Sequence, residues 1–174
     1  SATSAAVAFM RLTTGDLDGA AEILDRIDLV DVADDAGYPM VLSMTAEVIA
    51  AIGTVEQANL ALDQLLPGAG RHAMTGGLCL GPVNRLIALL LDRLGDHDEA
   101  VDRFHLAVDE SGSMRFPTWT ARTALDLSES LLRQRRHPEA RTALDEAETA
   151  VSSHELPESA ARLADLRRRL GDAV

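Results

Sequence analysis

Four times along this chain a turn residue is followed five positions later by alanine and, four positions beyond that, by a large apolar residue. The sets are Gly15, Ala20 and Leu24; Gly53, Ala58 and Leu62; Gly95, Ala100 and Phe104; and Arg135, Ala140 and Leu144. The alanines lie 38, 42 and 40 residues apart. A period of this size marks stacked helical hairpins, because a single hairpin cannot bury its apolar face alone. Glycine at the turn is expected to supply the left-handed backbone that ends the first helix. The small alanine then lets the second helix approach the first to about 8–10 Å between axes. The large residue one turn later fills the groove.

Apolar spacing of three and four residues predicts a helix upstream of these turns. The clearest cases are Val83, Leu86, Ile87, Leu90, Leu91 and Leu94, then Ala121, Ala124, Leu125, Leu127, Leu131 and Leu132. The inventory agrees: aromatics make up only 3% of the chain, and alanine and leucine are abundant, which favours helix over strand. We therefore expect an all-α domain of nine helices over residues 1–174. Its hairpin units fall at about 1–30, 38–66, 79–112 and 117–152, with a capping helix at 156–172. The links are 29–38, 67–77 and 111–118, and the glycine-rich 67–77 reads as the longest and most flexible.

Charge and residue usage exclude several function classes. The chain carries 16 basic residues, all arginine, against 28 acidic ones, for a net charge of −12. That balance argues against direct binding to nucleic acid. The absence of lysine removes Walker-type nucleotide binding and Schiff-base chemistry. Cys79 is the one cysteine, so neither a disulfide framework nor a multi-cysteine zinc site is expected, in keeping with a reducing cytoplasm. No run is long and apolar enough for a membrane span.

The turn glycines, the second-helix alanines and the large residue that follows resemble the tetratricopeptide repeat. The early Trp and terminal Pro of that repeat are missing, and the units run near 40 residues rather than 34. A narrower resemblance covers residues 80–151, through Gly81-Pro82-Val83, Leu94-Gly95-Asp96-His97-Asp98-Glu99-Ala100, Pro117-Thr118-Trp119-Thr120-Ala121-Arg122-Thr123 and Leu131-Leu132-Arg133. These strings are similar to the helical-repeat region of actinobacterial regulators linked to AAA- or STAND-type ATPases, of the LuxR type or joined to a nucleotide cyclase. The resemblance implies a right-handed superhelical stack and a place within a longer protein. It also implies a regulatory arm that binds a protein or peptide partner, such as the neighbouring ATPase domain, or a small-molecule inducer. Homodimerisation through Val7, Phe9 and Met10 is the alternative. No ATPase, cyclase or DNA-reading motif is present in these residues.

First helices of stacked hairpins line the concave face, which places Phe9, Leu12, Ser43, Glu47, Arg85, Asp92, Arg122 and Glu129 there. Arg85 and Arg122 either form a fork for a carboxylate or phosphate or pair internally with Glu47, Asp92 or Glu129. Gly68-Ala69-Gly70-Arg71-His72-Ala73 lacks the lysine, the third glycine and the preceding strand of a phosphate loop. His72, Met74 and Cys79 hint at a soft-metal site, but Cys79 reads better as a buried thiol opening an apolar helix. His97 and His137 are repeat equivalents. Asp28, Asp31, Asp34 and Asp35 read as a solvated acidic loop without calcium-hand spacing. Arg167-Arg168-Arg169 either complements a helix C-terminus or receives a neighbouring domain. No nucleophile–base set has local support, so neither catalysis nor a metal or other cofactor is expected.

Overall fold

A computed structural model describes residues 2–29, 38–75 and 77–173. Helix α1 (Ala2–Thr13) stops at Gly15, whose φ of +82° is left-handed. There the Asp16 amide donates to the Arg11 carbonyl (2.9 Å) and the Gly15 amide to that of Leu12 (3.1 Å). This is the Schellman closure, which satisfies carbonyls a helix end would otherwise orphan. The Asp16 side chain then caps the next helix, accepting from the Gly19 amide at 3.0 Å. Helices α2 (Leu17–Leu24), α3 (Tyr38–Ile52) and α4 (Val55–Leu65) follow. Before α4, Thr54 and Gln57 form a reciprocal capping box, with bonds of 2.9 and 3.2 Å.

A short 3₁₀ turn at Leu66–Gly68 leads into β1 (His72–Thr75), which pairs antiparallel with β2 (Leu78–Pro82), and then comes α5 (Val83–Leu94). The register is His72 to Pro82, Met74 to Cys79 and Thr75 to Leu78, with a bulge between His72 and Met74. The link at 67–77, expected to be a flexible loop, is therefore largely ordered backbone. Cys79 sits on a strand opposite Met74 rather than at the start of a helix. The cause is local: two strands joined by two residues need positive φ in the turn, and Gly77 supplies it at +85°. Helices α6 (His97–Ser113), α7 (Pro117–Arg133), α8 (His137–His154) and α9 (Pro157–Asp172) complete the chain. Prolines at the first position of α7 and α9 cost no hydrogen bond there. The described residues thus form nine helices and one two-stranded sheet. The acidic positions Asp31, Asp34 and Asp35, with most of the 29–38 link, lie outside them.

Two compact units divide the chain, Ser1–Asp96 and His97–Val174. In the first, α3 is central and packs against α1, α2, α4, α5 and β1. Val41, Leu42, Ala46, Val48 and Ile49 of α3 are buried there, as are Ala5, Ala8 and Ala20 of the first hairpin. In the second unit α7 is central, flanked by α6, α8 and α9. Its core joins Ala124 and Leu125 of α7 to Leu144 and Ala147 of α8 and to Leu163, Leu166 and Leu170 of α9. All four repeat alanines (Ala20, Ala58, Ala100 and Ala140) are fully buried. Leu24, Phe104 and Leu144 are buried after them, but Leu62 is only half-buried, and Ala61 and Leu65 fill that place in α4.

Gly53 departs from the expected turn chemistry. Its φ is not positive; it is glycine because a β-carbon there would lie 2.8 Å from the Cα of Ile49. Arg135, the one non-glycine of the four turn residues, does adopt the left-handed conformation, with φ +61°. Its hydrogen bonds match those at Gly15, with Arg136 amide to Leu131 carbonyl at 2.9 Å and Arg135 amide to Leu132 carbonyl at 3.1 Å.

Candidate binding surfaces

Arg85, in the first turn of α5, faces Glu47 on the adjoining α3. The guanidinium meets the carboxylate in two-point fashion, Nη1 to Oε1 at 2.9 Å and Nη2 to Oε2 at 3.4 Å. Their side chains are only 3% and 11% exposed. Of the two sequence readings for Arg85, internal pairing is the one realised: the guanidinium is committed to Glu47 and is not presented to solvent. Such a pair is retained by its geometry, since each charge has lost its water. Ser43, on the same helix, is buried too and donates its hydroxyl to the Pro39 carbonyl at 2.6 Å.

Arg122 is half-buried on α7, its guanidinium carbon 5.3 Å from the ring centroid of Trp119 one turn earlier, a cation–π contact. Arg85 and Arg122 belong to different compact units. Asp92 is half-buried in the last turn of α5, and its carbonyl accepts from the Gly95 amide at 3.3 Å. Phe9 and Leu12 are half-buried on α1.

Glu129 is the hub of an ionic cluster that the sequence did not single out. It accepts from Arg162 at 2.7 Å and Arg169 at 3.2 Å, and Arg133 lies 3.9 Å away. The other arm of Arg162 donates to Asp126 at 2.6 Å, and Asp126 is 6% exposed. Arg167 reaches Asp145 at 2.5 Å and Glu148 at 2.8 Å on α8. Arg168 pairs within its own helix, with Asp165. The basic run therefore fastens α9 to α7 and α8, a use that neither sequence reading of it foresaw. Partial burial pushes the Glu129 carboxyl upward, but the bonds and charges of Arg162, Arg169 and Arg133 outweigh it, so it titrates below the usual carboxylate value. The one available signal was Asp126, a lone acid in the apolar run from Ala121 to Leu127.

A third feature lies where the β-hairpin turns back on α3 and the end of α4. A cavity of about 390 Å³ opens there. Its apolar wall includes the buried Leu42, Leu65, Ala73 and Val83, with Pro39 and Pro67 alongside. Ser43, Gln64, Arg71 and His72 contribute its polar groups. Gln64 is held by a bond from its amide nitrogen to the Leu29 carbonyl at 2.9 Å. Met74 stands half-exposed beside the cavity, and Cys79 is its partner across the sheet. Among the described residues no three His, Cys, Asp or Glu side chains are grouped to hold a metal ion. No described helix is long and apolar enough to cross a membrane.

No family model, no curated protein and no solved structure matches this chain.

Proposed function

We propose that the chain is a protein-interaction or effector-sensing module of tetratricopeptide-like hairpins. In this reading the hairpins stack as a right-handed superhelix and form the regulatory arm of an ATPase-linked transcriptional regulator of the cytoplasm, with no catalysis of their own. One observation carries the reading. The same closure, a left-handed residue at Gly15, Gly95 or Arg135, is followed five residues later by a fully buried alanine. Recurrence of this turn with a buried alanine at a fixed distance supports reading the segments as copies of one unit, with the turn at Gly53 built differently. Arrays of such units serve mainly as surfaces on which partners or effectors dock.

The test starts with the reading frame. Extending the gene outward from both ends should reveal an ATPase module in the same frame. The purified ATPase domain should then bind this chain saturably in a calorimetric titration. A frame without an ATPase, or an ATPase domain with no affinity for the chain, sinks the regulator reading and leaves a free-standing adaptor.

Self-association is the second reading. It is favoured by Met10, 62% exposed on α1, with Leu17 of α2 also exposed on the first hairpin.

A further inference from the structure

The cavity beside the β-hairpin has a charge pattern unlike the rest of the molecule. Among the described residues no acidic one lines this cavity, and the one permanent charge among its described lining residues is Arg71. The Arg71 guanidinium is exposed and makes no ion pair among the described residues. Its backbone is pinned on both sides, the amide donating to the Gly68 carbonyl at 3.1 Å and the carbonyl accepting from the Val83 amide at 2.9 Å. The backbone that carries this cation is thus fixed at the edge of a largely apolar space of about 390 Å³, within the range of small-molecule sites.

We propose that this cavity binds a small organic acid with an apolar tail, of the medium-chain carboxylate class. The tail packs on Leu42, Leu65, Ala73 and Val83, and the carboxylate meets Arg71. Apolar burial supplies the affinity, at roughly fourfold per methylene. The guanidinium selects an anionic head group, as its planar fork suits a carboxylate. A cationic or neutral head gains nothing from Arg71. The assignment deepens the effector-sensing reading and rests on it for its purpose, though the binding itself is measured independently.

Calorimetry on the full chain with hexanoate, octanoate and decanoate, below their micellar concentrations, is the test. Each step of two methylenes should tighten Kd about fifteenfold. Arg71→Gln should weaken octanoate about fivefold, the worth of a part-exposed charge pair. Octanol should bind wild type and Arg71→Gln alike, because it has no charge for the arginine to meet. The amide resonances of Leu42, Ala73 and Val83 should shift on octanoate addition. Ala73→Leu, which fills the cavity, should abolish binding if circular dichroism shows it folded. If it does not fold, Arg71→Gln carries the test, since its side chain is exposed. Three results overturn the proposal: no saturable binding at any chain length, equal octanoate affinity in wild type and Arg71→Gln, or amide shifts confined to residues away from the cavity. Partner binding is measured without any acid present. Failure of the acid therefore removes this site alone, and failure of the ATPase domain to bind removes the regulator reading alone.

Discussion

At Arg85 and Glu47 two charges sit almost wholly out of water and meet at two points, so each offsets the other's loss of solvent. Arg85→Ala removes the guanidinium that meets this buried carboxylate at two points, and we expect a loss of about 3–5 kcal/mol. Arg85→Met with Glu47→Leu should recover most of that loss, because the pair itself contributes little net stability against an apolar replacement. Urea denaturation of the three proteins decides it, and a single mutant within about 1 kcal/mol of wild type would show the pair to be dispensable. Arg135 makes the opposite case. Its φ of +61° costs a side-chain-bearing residue about 1–2 kcal/mol, while glycine there costs part of that back in chain entropy. Arg135→Gly should raise the melting temperature, by the equivalent of about 0.5–1 kcal/mol. A fall would mean that the arginine side chain makes a contact worth more than the strain. In the sequence Arg135 aligns with three turn glycines, and the left-handed backbone expected of glycine is found at Arg135; the alignment itself gave no sign of strain. The expectation of a left-handed glycine fails at Gly53, where glycine answers to the nearness of Ile49, a distance that spacing does not encode.

Helix α9 is held by two unlike forces. Leu163, Leu166 and Leu170 are its buried residues, and around them Arg162, Arg167 and Arg169 reach acids on α7 and α8. The apolar stripe was legible as a helical period. The ionic clasp was not, because its acids stand 19 to 40 residues from their arginines in sequence, and Glu129 read there as a partner for Arg85 or Arg122 rather than for α9. The sign of its pH dependence follows from Glu129. Its folded pKa lies below the unfolded value of 4.5, so its contribution is present above that value and is lost as pH falls through the folded one. Acidification below the unfolded value should therefore loosen α9, and Arg162→Met should flatten that part of the dependence. Melting curves across this range provide the measurement. Identical slopes in both proteins would mean that the bond from Arg162 to Glu129 does not help to hold the helix. The β-hairpin belongs to this scale too. Its signal was present as Gly76-Gly77 between short apolar runs, but a glycine-rich stretch reads equally as a loop until pairing across it is seen.

For the molecule as a whole, the module reading and the self-association reading differ in one observable. Static light scattering should return the mass of one chain across a wide concentration range if the first hairpin's exposed apolar residues are incidental. A mass rising to that of two chains, and reverting in Met10→Glu, would favour the dimer and displace the module reading. What the sequence determined by itself was local: helices from three- and four-residue spacing, turns from their residue types, and the recurrence of a buried alanine. These depend on interactions a few residues long, which backbone geometry and side-chain size largely dictate. The tertiary structure alone decided which charges were spent internally, as at Arg85, and which were left at a cavity, as at Arg71. Ion pairing depends on the approach of segments tens of residues apart, and an arginine looks the same in sequence whether or not a carboxylate awaits it.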